Sequence, residues 1–139
     1  MAGYSARALV DKLGVRPYSR VALLGAPDGF EDLLDPVPAG VRLLRRMSGH
    51  VDMAVLFTTA MSDLERRWSA LSAALAPSGV IWVAWPKRSA AKELGLSCDM
   101  SEDVVRLVAL PTGWVDVKVC AIDDTWSGLK CVLRVELRR

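Results

Sequence analysis

Apolar residues in this chain follow three patterns: short unbroken runs, helix-spaced stripes, and alternation near the end. Unbroken runs read as strands covered on both faces of a sheet. Residues 20–25 (RVALLG), 41–45 (VRLLR), 52–58 (DMAVLFT) and 80–85 (VIWVAW) are of this kind. The main stripe is Leu64, Trp68, Leu71 and Leu75, which line one face of a helix. It follows Ser62 and Glu65, whose spacing is that of a capping box. A shorter stripe of Ala8, Leu9 and Leu13 predicts a helix over residues 5–13, ended by Gly14. Residues 30–34 predict one or two helical turns, stopped by Pro36 and Pro38, which lack the donor a continuing helix needs. Residues 87–100 read as a mixed loop. Ser101 caps a further helix, with Glu102 and Asp103 in its first turn, which must end before Pro111.

The tail changes period. Val115, Val117, Val119 and Ala121 alternate with Asp116, Lys118 and Cys120, as in a half-exposed strand. Leu129, Cys131, Leu133, Val135 and Leu137 alternate with Lys130, Arg134 and Glu136. The intervening DDTWSG, residues 123–128, has a length suited to an antiparallel hairpin. Parity puts Cys131 on the core face and Cys120 on the other, so the two are poor disulfide partners.

Together these elements predict an α/β fold: one Rossmann-like, three-layer domain over residues 1–139. Its sheet is mostly parallel and ends in a C-terminal antiparallel hairpin. The helix, the Pro77-Ser78-Gly79 turn and the apolar strand after it form the second half of a β-α-β unit. The strand at 41–45 is the awkward element, because residues 46–51 are too few to hold a crossover helix. Either it is a short parallel edge strand with an extended return, the preferred reading, or it pairs antiparallel.

Composition narrows the class. The chain has 139 residues, 52% apolar and 24% charged, as in a soluble globular domain. The longest apolar run, 80–85, is far too short to cross a bilayer, and MAGYSARALVDK lacks the layout of a secretory signal. Three cysteines, Cys98, Cys120 and Cys131, with no C-x-x-C pair, suit free thiols and a cytoplasmic setting. A net charge of +2 without a basic, aromatic-studded stripe gives no footprint for nucleic acid.

The order of elements resembles a trimmed class I S-adenosylmethionine-dependent methyltransferase. Leu75-Ala76-Pro77-Ser78-Gly79-Val80 is similar to the L-x-P-G-G-hydrophobic turn before that fold's fifth strand, and the terminal hairpin is similar to its antiparallel last strand. Over nearly its whole length the chain more closely resembles a family of small uncharacterised bacterial, chiefly actinobacterial, proteins. The stretches AGYSARALVDKLG, RVALLGAPDGF, WVAWPK and SEDVVRLVALPTGWVDVKVCAIDDTWSGLK carry that resemblance. It implies a fold and no established activity. Against the methyltransferase pattern, Gly25-Ala26-Pro27-Asp28-Gly29 has proline at the middle glycine of G-x-G-x-G, where ring bulk and a missing N–H oppose close approach. Arg45 and Arg46 stand where the resemblance implies an acidic residue for the ribose hydroxyls. The fold's third strand and the helix before it have no counterpart. The expectation is therefore no cofactor, S-adenosylmethionine being the one the fold itself would suggest.

In open α/β sheets a ligand sits beyond the carboxyl ends of the strands, where strand order reverses. That rule gathers Gly25, Pro27, Thr58, Trp85, Lys87, Arg88, Asp123, Asp124, Trp126 and Lys130 as candidate ligand-binding residues at one rim. The Asp-Asp-Thr run and Gly128 also suit a plain turn, and Lys87 and Arg88 also suit a solvated surface. Trp126 at a loop tip would be exposed unless it packs or binds something. His50 falls at the opposite end of the sheet, so no Ser-His or Cys-His pair forms at the rim. Cys98, in the loop after the fourth strand, is a candidate reactive thiol with nothing beside it in sequence to activate it. Asp99, Asp123 and Asp124 are too few for a metal site, and no catalytic residue is assigned.

The sequence favours a non-catalytic binding or interaction module that has lost the cofactor site. Its partner would be a small anionic ligand or a protein, and the edge hairpin offers a surface for homodimerisation. The alternative is a small enzyme acting on an anionic or nucleotide-like ligand, a divergent S-adenosylmethionine-dependent methyltransferase among its forms.

Overall fold

A computed structural model describes residues 8–138. In chain order these form helix α1 (Leu9–Leu13), strand β1 (Arg20–Leu24), a 3-10 turn (Phe30–Leu34), β2 (Arg42–Leu44) and β3 (Val51–Phe57). There follow α2 (Met61–Ala74), β4 (Leu75–Pro86), α3 (Arg88–Leu94), α4 (Glu102–Ala109), β5 (Trp114–Ala121) and β6 (Trp126–Leu133). The strands make one sheet in the order β2-β1-β3-β4-β6-β5. The first four are parallel, and β6 enters antiparallel between β4 and β5. The order reverses between β1 and β3, because the chain leaves β1 outward to β2 and returns on its other side.

The unbroken apolar runs become the buried strands because both sheet faces are covered. Ala22, Leu24, Leu56, Ile81, Val83 and Leu129 face a core shared with Leu64, Trp68 and Leu71 of α2 and Val105 of α4. Leu23, Val55, Trp82 and Ala84 face the opposite core, with Val10 and Leu13 of α1 and with Phe30 and Leu34. Trp82 is fully buried there and donates its indole N–H to the Leu13 carbonyl at 3.0 Å. Cys131 is buried in the first core and Cys120 packs on the second, so the two lie on opposite faces of the sheet, as expected.

β2 is parallel to β1, pairing Arg20 with Arg42 and Ala22 with Leu44. This is the parallel edge strand of the preferred reading, but the return to β3 over residues 45–50 runs through bends, with Gly49 at φ 62°, instead of being extended. Arg20 fastens it, donating from Nε to the His50 carbonyl and from Nη2 to the Ser48 carbonyl, both at 2.7 Å.

Several boundaries differ from the sequence pattern. The first helix starts at Leu9, with Ala8 extended, and residues 5–7 of the expected helix lie outside the described residues. Ser62 does not cap α2. The N-cap is Ala60, and the first helical amide, Met61 N–H, is bound by the Asp99 carboxylate at 2.7 Å. β4 begins at Leu75, directly after α2, and bulges between its pairings of Leu75 with Val51 and Val80 with Met53. Gly79 sits in that bulge, where a Cβ would fall 2.8 Å from the Ala76 carbonyl oxygen.

The expected loop at 87–100 contains α3. Its inward residues are only Ala90 and Ala91, too small to leave a clear stripe. α4 is capped as expected, the Ser101 hydroxyl accepting from Val104 N–H at 3.2 Å. Arg106 ties α4 to β5 through Asp116 at 3.0 Å.

The hairpin is tighter than its sequence suggests. Asp123 Oδ1 accepts the N–H groups of Thr125 and Trp126 at 2.8 and 2.7 Å, so Trp126 already begins β6. That strand stops at Leu133, and Val135–Leu137 forms an exposed 3-10 turn instead of continuing the alternation. β5 is the sheet edge, and a bulge at Val117 separates the pairs Asp116–Cys131 and Lys118–Lys130. The strict alternation of 115–121 is thereby broken: Val115 and Val119 lie on opposite faces. The bulge also interrupts the edge's run of free backbone groups. No helix among the described residues is long and apolar enough to cross a membrane.

Candidate functional site

Strand direction brings nine of the ten candidates to the carboxyl edge of the sheet. Thr58 N–H donates to the Ala84 carbonyl at 2.9 Å, linking the ends of β3 and β4. Lys87 N–H donates to the Thr125 carbonyl at 2.7 Å, and Pro86 pairs with Trp126, so the hairpin turn lies beside the exit of β4. Gly25, with φ 71°, packs so close to β3 that a Cβ would stand 3.0 Å from the Phe57 carbonyl oxygen. The left-handed φ and that backbone approach both call for glycine there. Lys130 is the exception. It lies opposite Trp82 in mid-strand and lines a cavity toward the other end of the sheet, so it is not a rim residue.

The rim divides in two. On the β1 side it is closed by packing. Phe57 meets Phe30 and Trp126 edge-to-face, with ring centroids 4.9 and 5.1 Å apart. Trp126 is therefore half-buried against Phe57 and does not stand at a loop tip. Arg45 grips Glu31 with two bonds of 2.6 and 2.7 Å and donates to the Ala26 carbonyl at 3.2 Å, clamping the turn that holds Pro27. A backbone hydrogen bond at Glu31, together with the Arg45 guanidinium, holds the Glu31 carboxyl below its ordinary pKa. Thr58 is buried, and its hydroxyl donates to Asp63 at 2.9 Å.

On the β4 side the rim opens into a cleft of about 710 Å³ between the end of β4, α3 and residues 98–102. Trp85 and Met100 supply apolar wall, and Lys87, Arg88 and Lys92 supply charge. None of these three cations makes an ion pair among the described residues. The two carboxylates of the cleft are engaged: Asp99 by Met61 N–H, and Glu102 by Arg106 at 3.0 Å. Cys98 lines the same cleft, half-buried. Asp123 and Asp124 do not line it.

Lys92 and Met100 were not legible as site residues: α3 left no stripe to place Lys92, and Met100 lies in the coil between α3 and α4. His50 lies before β3, as expected, and contacts Asp52 Oδ1 at 2.8 Å. No group of three or more His, Cys, Asp or Glu among the described residues could hold a metal ion.

No family model and no curated protein matches the chain. Solved structures do. The N-methyltransferase NodS of Bradyrhizobium japonicum WM9 is 12% identical with a TM-score of 0.56, over 84% of this chain and 86% of that one. NodS has also been solved in complex with S-adenosyl-L-homocysteine. A SAM-dependent methyltransferase of Aquifex aeolicus is 12% identical with a TM-score of 0.60, over 88% of this chain and 86% of its own. A possible exported protein of Bordetella parapertussis is 11% identical with a TM-score of 0.62, over 91% of this chain and 66% of that one. At these identities the likeness shows the fold: a Rossmann-like, methyltransferase-like α/β domain with a mostly parallel sheet and one antiparallel hairpin.

Proposed function

We infer that the chain binds an anionic, nucleotide-like ligand in the cleft between β4, α3 and residues 98–102, as a divergent protein of the methyltransferase-like fold. One observation carries this. Lys87, Arg88 and Lys92 share one cleft with no ion-pair partner among the described residues, while its two carboxylates are engaged elsewhere. Unpaired cations beside an apolar wall of Trp85 and Met100 match a ligand with a charged group and a flat, weakly polar body. The cleft's size and its place at the carboxyl end of the sheet fit the same ligand. A protein-binding module acting through Trp126 has less support, because that indole is spent on Phe57.

The fold itself suggests S-adenosylmethionine, and the residues after β1 do not fit it. Pro27 replaces the glycine that would let the cofactor approach, and Arg45 closes on Glu31 and the Ala26 carbonyl where a ribose would need an acid. β2 is the outer strand on that side. One feature favours an adenosyl ligand there as a second reading: Gly25 and Gly29 keep left-handed conformations, with φ 71° and 77°.

Calorimetric titration with ADP and with S-adenosyl-L-homocysteine separates these readings. ADP should bind the natural chain and bind the Lys87→Gln/Arg88→Gln variant roughly 10-fold or more weakly. Absence of binding by either compound at millimolar concentration would overturn the proposal. Binding of S-adenosyl-L-homocysteine alone, unaffected by the double substitution, would move the ligand to the β1 turn.

A further inference from the structure

Lys130, displaced from the rim, belongs to a second basic group on the opposite part of the molecule. Its partner across the hairpin is Lys118, so two ammonium side chains stand directly opposite on one sheet face. Like charges in that position destabilise a strand pair. The covering segment adds more positive charge. Lys12 lies on α1, and Lys118 Nζ donates to the Lys12 carbonyl at 3.3 Å. Arg16 lines the same cavity as Lys130. None of Lys12, Arg16, Lys118 or Lys130 is in an ion pair among the described residues.

Lys118 has a role in holding the end of α1. Lys130 and Arg16 have no such explanation. Burial first, and then Lys118 and Arg16, push the Lys130 ammonium below its ordinary pKa, so its charge is held at a cost.

The cavity they line is about 270 Å³ and runs between Gly14, Arg16, Tyr18 and the turn at Ser78 and Gly79. A Cβ at Gly14 would come 3.7 Å from Lys130 Nζ, which places the ammonium beside the turn that ends α1. Tyr18 holds a left-handed φ of 63°, which a non-glycine residue adopts only under restraint. Its N–H donates to the Ala39 carbonyl at 2.8 Å, and its ring lies over Gly40, which fixes the loop that walls the cavity. Asp52 also lines the space, and both its oxygens are engaged, Oδ2 by Arg20 N–H at 2.9 Å and Oδ1 by His50 at 2.8 Å.

We propose that the cavity between Lys130, Arg16 and the turn at Ser78 and Gly79 is an anion site for a phosphate group, inorganic or carried on a small metabolite. A phosphate would relieve the Lys118–Lys130 repulsion and accept from ammonium and guanidinium together. The space suits a phosphate with a small substituent, whereas the rim cleft is the one with room for a nucleotide.

Thermal unfolding of the full chain in phosphate, in glycerol phosphate and in chloride at matched ionic strength tests this. Phosphate in large excess should raise the Tm by about 4 °C or more over chloride. The rise should persist in Lys87→Gln/Arg88→Gln, which keeps failure here distinct from failure at the rim. It should vanish in Lys130→Gln, which in chloride should melt no lower than the natural chain. A larger rise with glycerol phosphate than with phosphate would identify an organic ester as the ligand. Equal melting in phosphate and chloride, or an undiminished phosphate response in Lys130→Gln, would overturn the site. Should Lys130→Gln fail to fold, Arg16→Gln on the exposed loop must abolish the response instead.

Discussion

Asp99 and Met61 are 38 residues apart, and the carboxylate of the first accepts the opening helical N–H of the second at 2.7 Å. The bond does the work of an N-cap from outside the helix, because the residue in the cap position, Ala60, has no side-chain acceptor. The reverse link is also made, Asp99 N–H donating to the Thr59 carbonyl at 3.1 Å. Together these two bonds pin one wall of the cleft beside β4 to the start of α2.

Removing that acceptor should therefore be felt as a lost cap. Asp99→Ala is expected to cost about 1 kcal/mol, read as a lower urea midpoint at unchanged slope. Asp99→Asn, which keeps an acceptor oxygen, should recover most of the loss. Equal destabilisation by both substitutions would show that the carboxylate's charge, and not its acceptor role, is what α2 uses.

The pair Glu31–Arg45 gives a pH prediction with a definite sign. Its carboxyl is held below the ordinary value of 4.5, so it contributes stability above that pH and loses it as pH falls through the folded value. The natural chain should lose stability on acidification below about 4.5, and Glu31→Gln should lose less over the same window. The check is the difference between the two urea midpoints at pH 6 and pH 3. An acid limb of the same steepness in Glu31→Gln would remove Glu31 as a contributor.

The parallel sheet is legible in the sequence because strands covered on both faces must be apolar throughout, as at Val21 to Leu24 and Ile81 to Trp85. The rim follows from strand direction alone, which is why Thr58, Trp85, Lys87 and Trp126 come together as expected. What stays hidden is set by contacts between distant residues. Ser62 and Glu65 have the spacing of a capping box, yet Asp99 holds the start of that helix. Nothing local marks α3, whose inward side chains are two alanines. Lys130 has the parity of a surface residue, and only its register against Trp82 and Lys118 reveals its cavity.

Trp126 now carries a stability prediction. Its ring packs edge-to-face on Phe57 with centroids 5.1 Å apart, while its backbone N–H, which an alanine would keep, closes the hairpin on Asp123. Trp126→Ala should cost about 2–3 kcal/mol, less than a fully buried tryptophan, and Trp126→Phe about half as much. The urea midpoint decides it. An unchanged midpoint for Trp126→Ala would return this indole to the list of free surface anchors.

The three thiols should separate cleanly by reactivity. Burial pushes Cys131 up to about 12, with Asp116 adding to the shift, and burial also raises Cys120, so both are thiols with little thiolate at neutral pH. Cys98 lines the cleft that holds Lys87 and Arg88 and is open to reagent there. An aromatic disulfide reagent at pH 7.5 should label one thiol of the native chain quickly, and Cys98→Ser should abolish that phase. Denaturant should then release the other two. If the cleft is the ligand site, saturating ADP should slow the Cys98 phase several-fold while leaving Cys120 and Cys131 as they were. Labelling of Cys98 at the same rate with and without bound ADP would place the nucleotide elsewhere on the molecule.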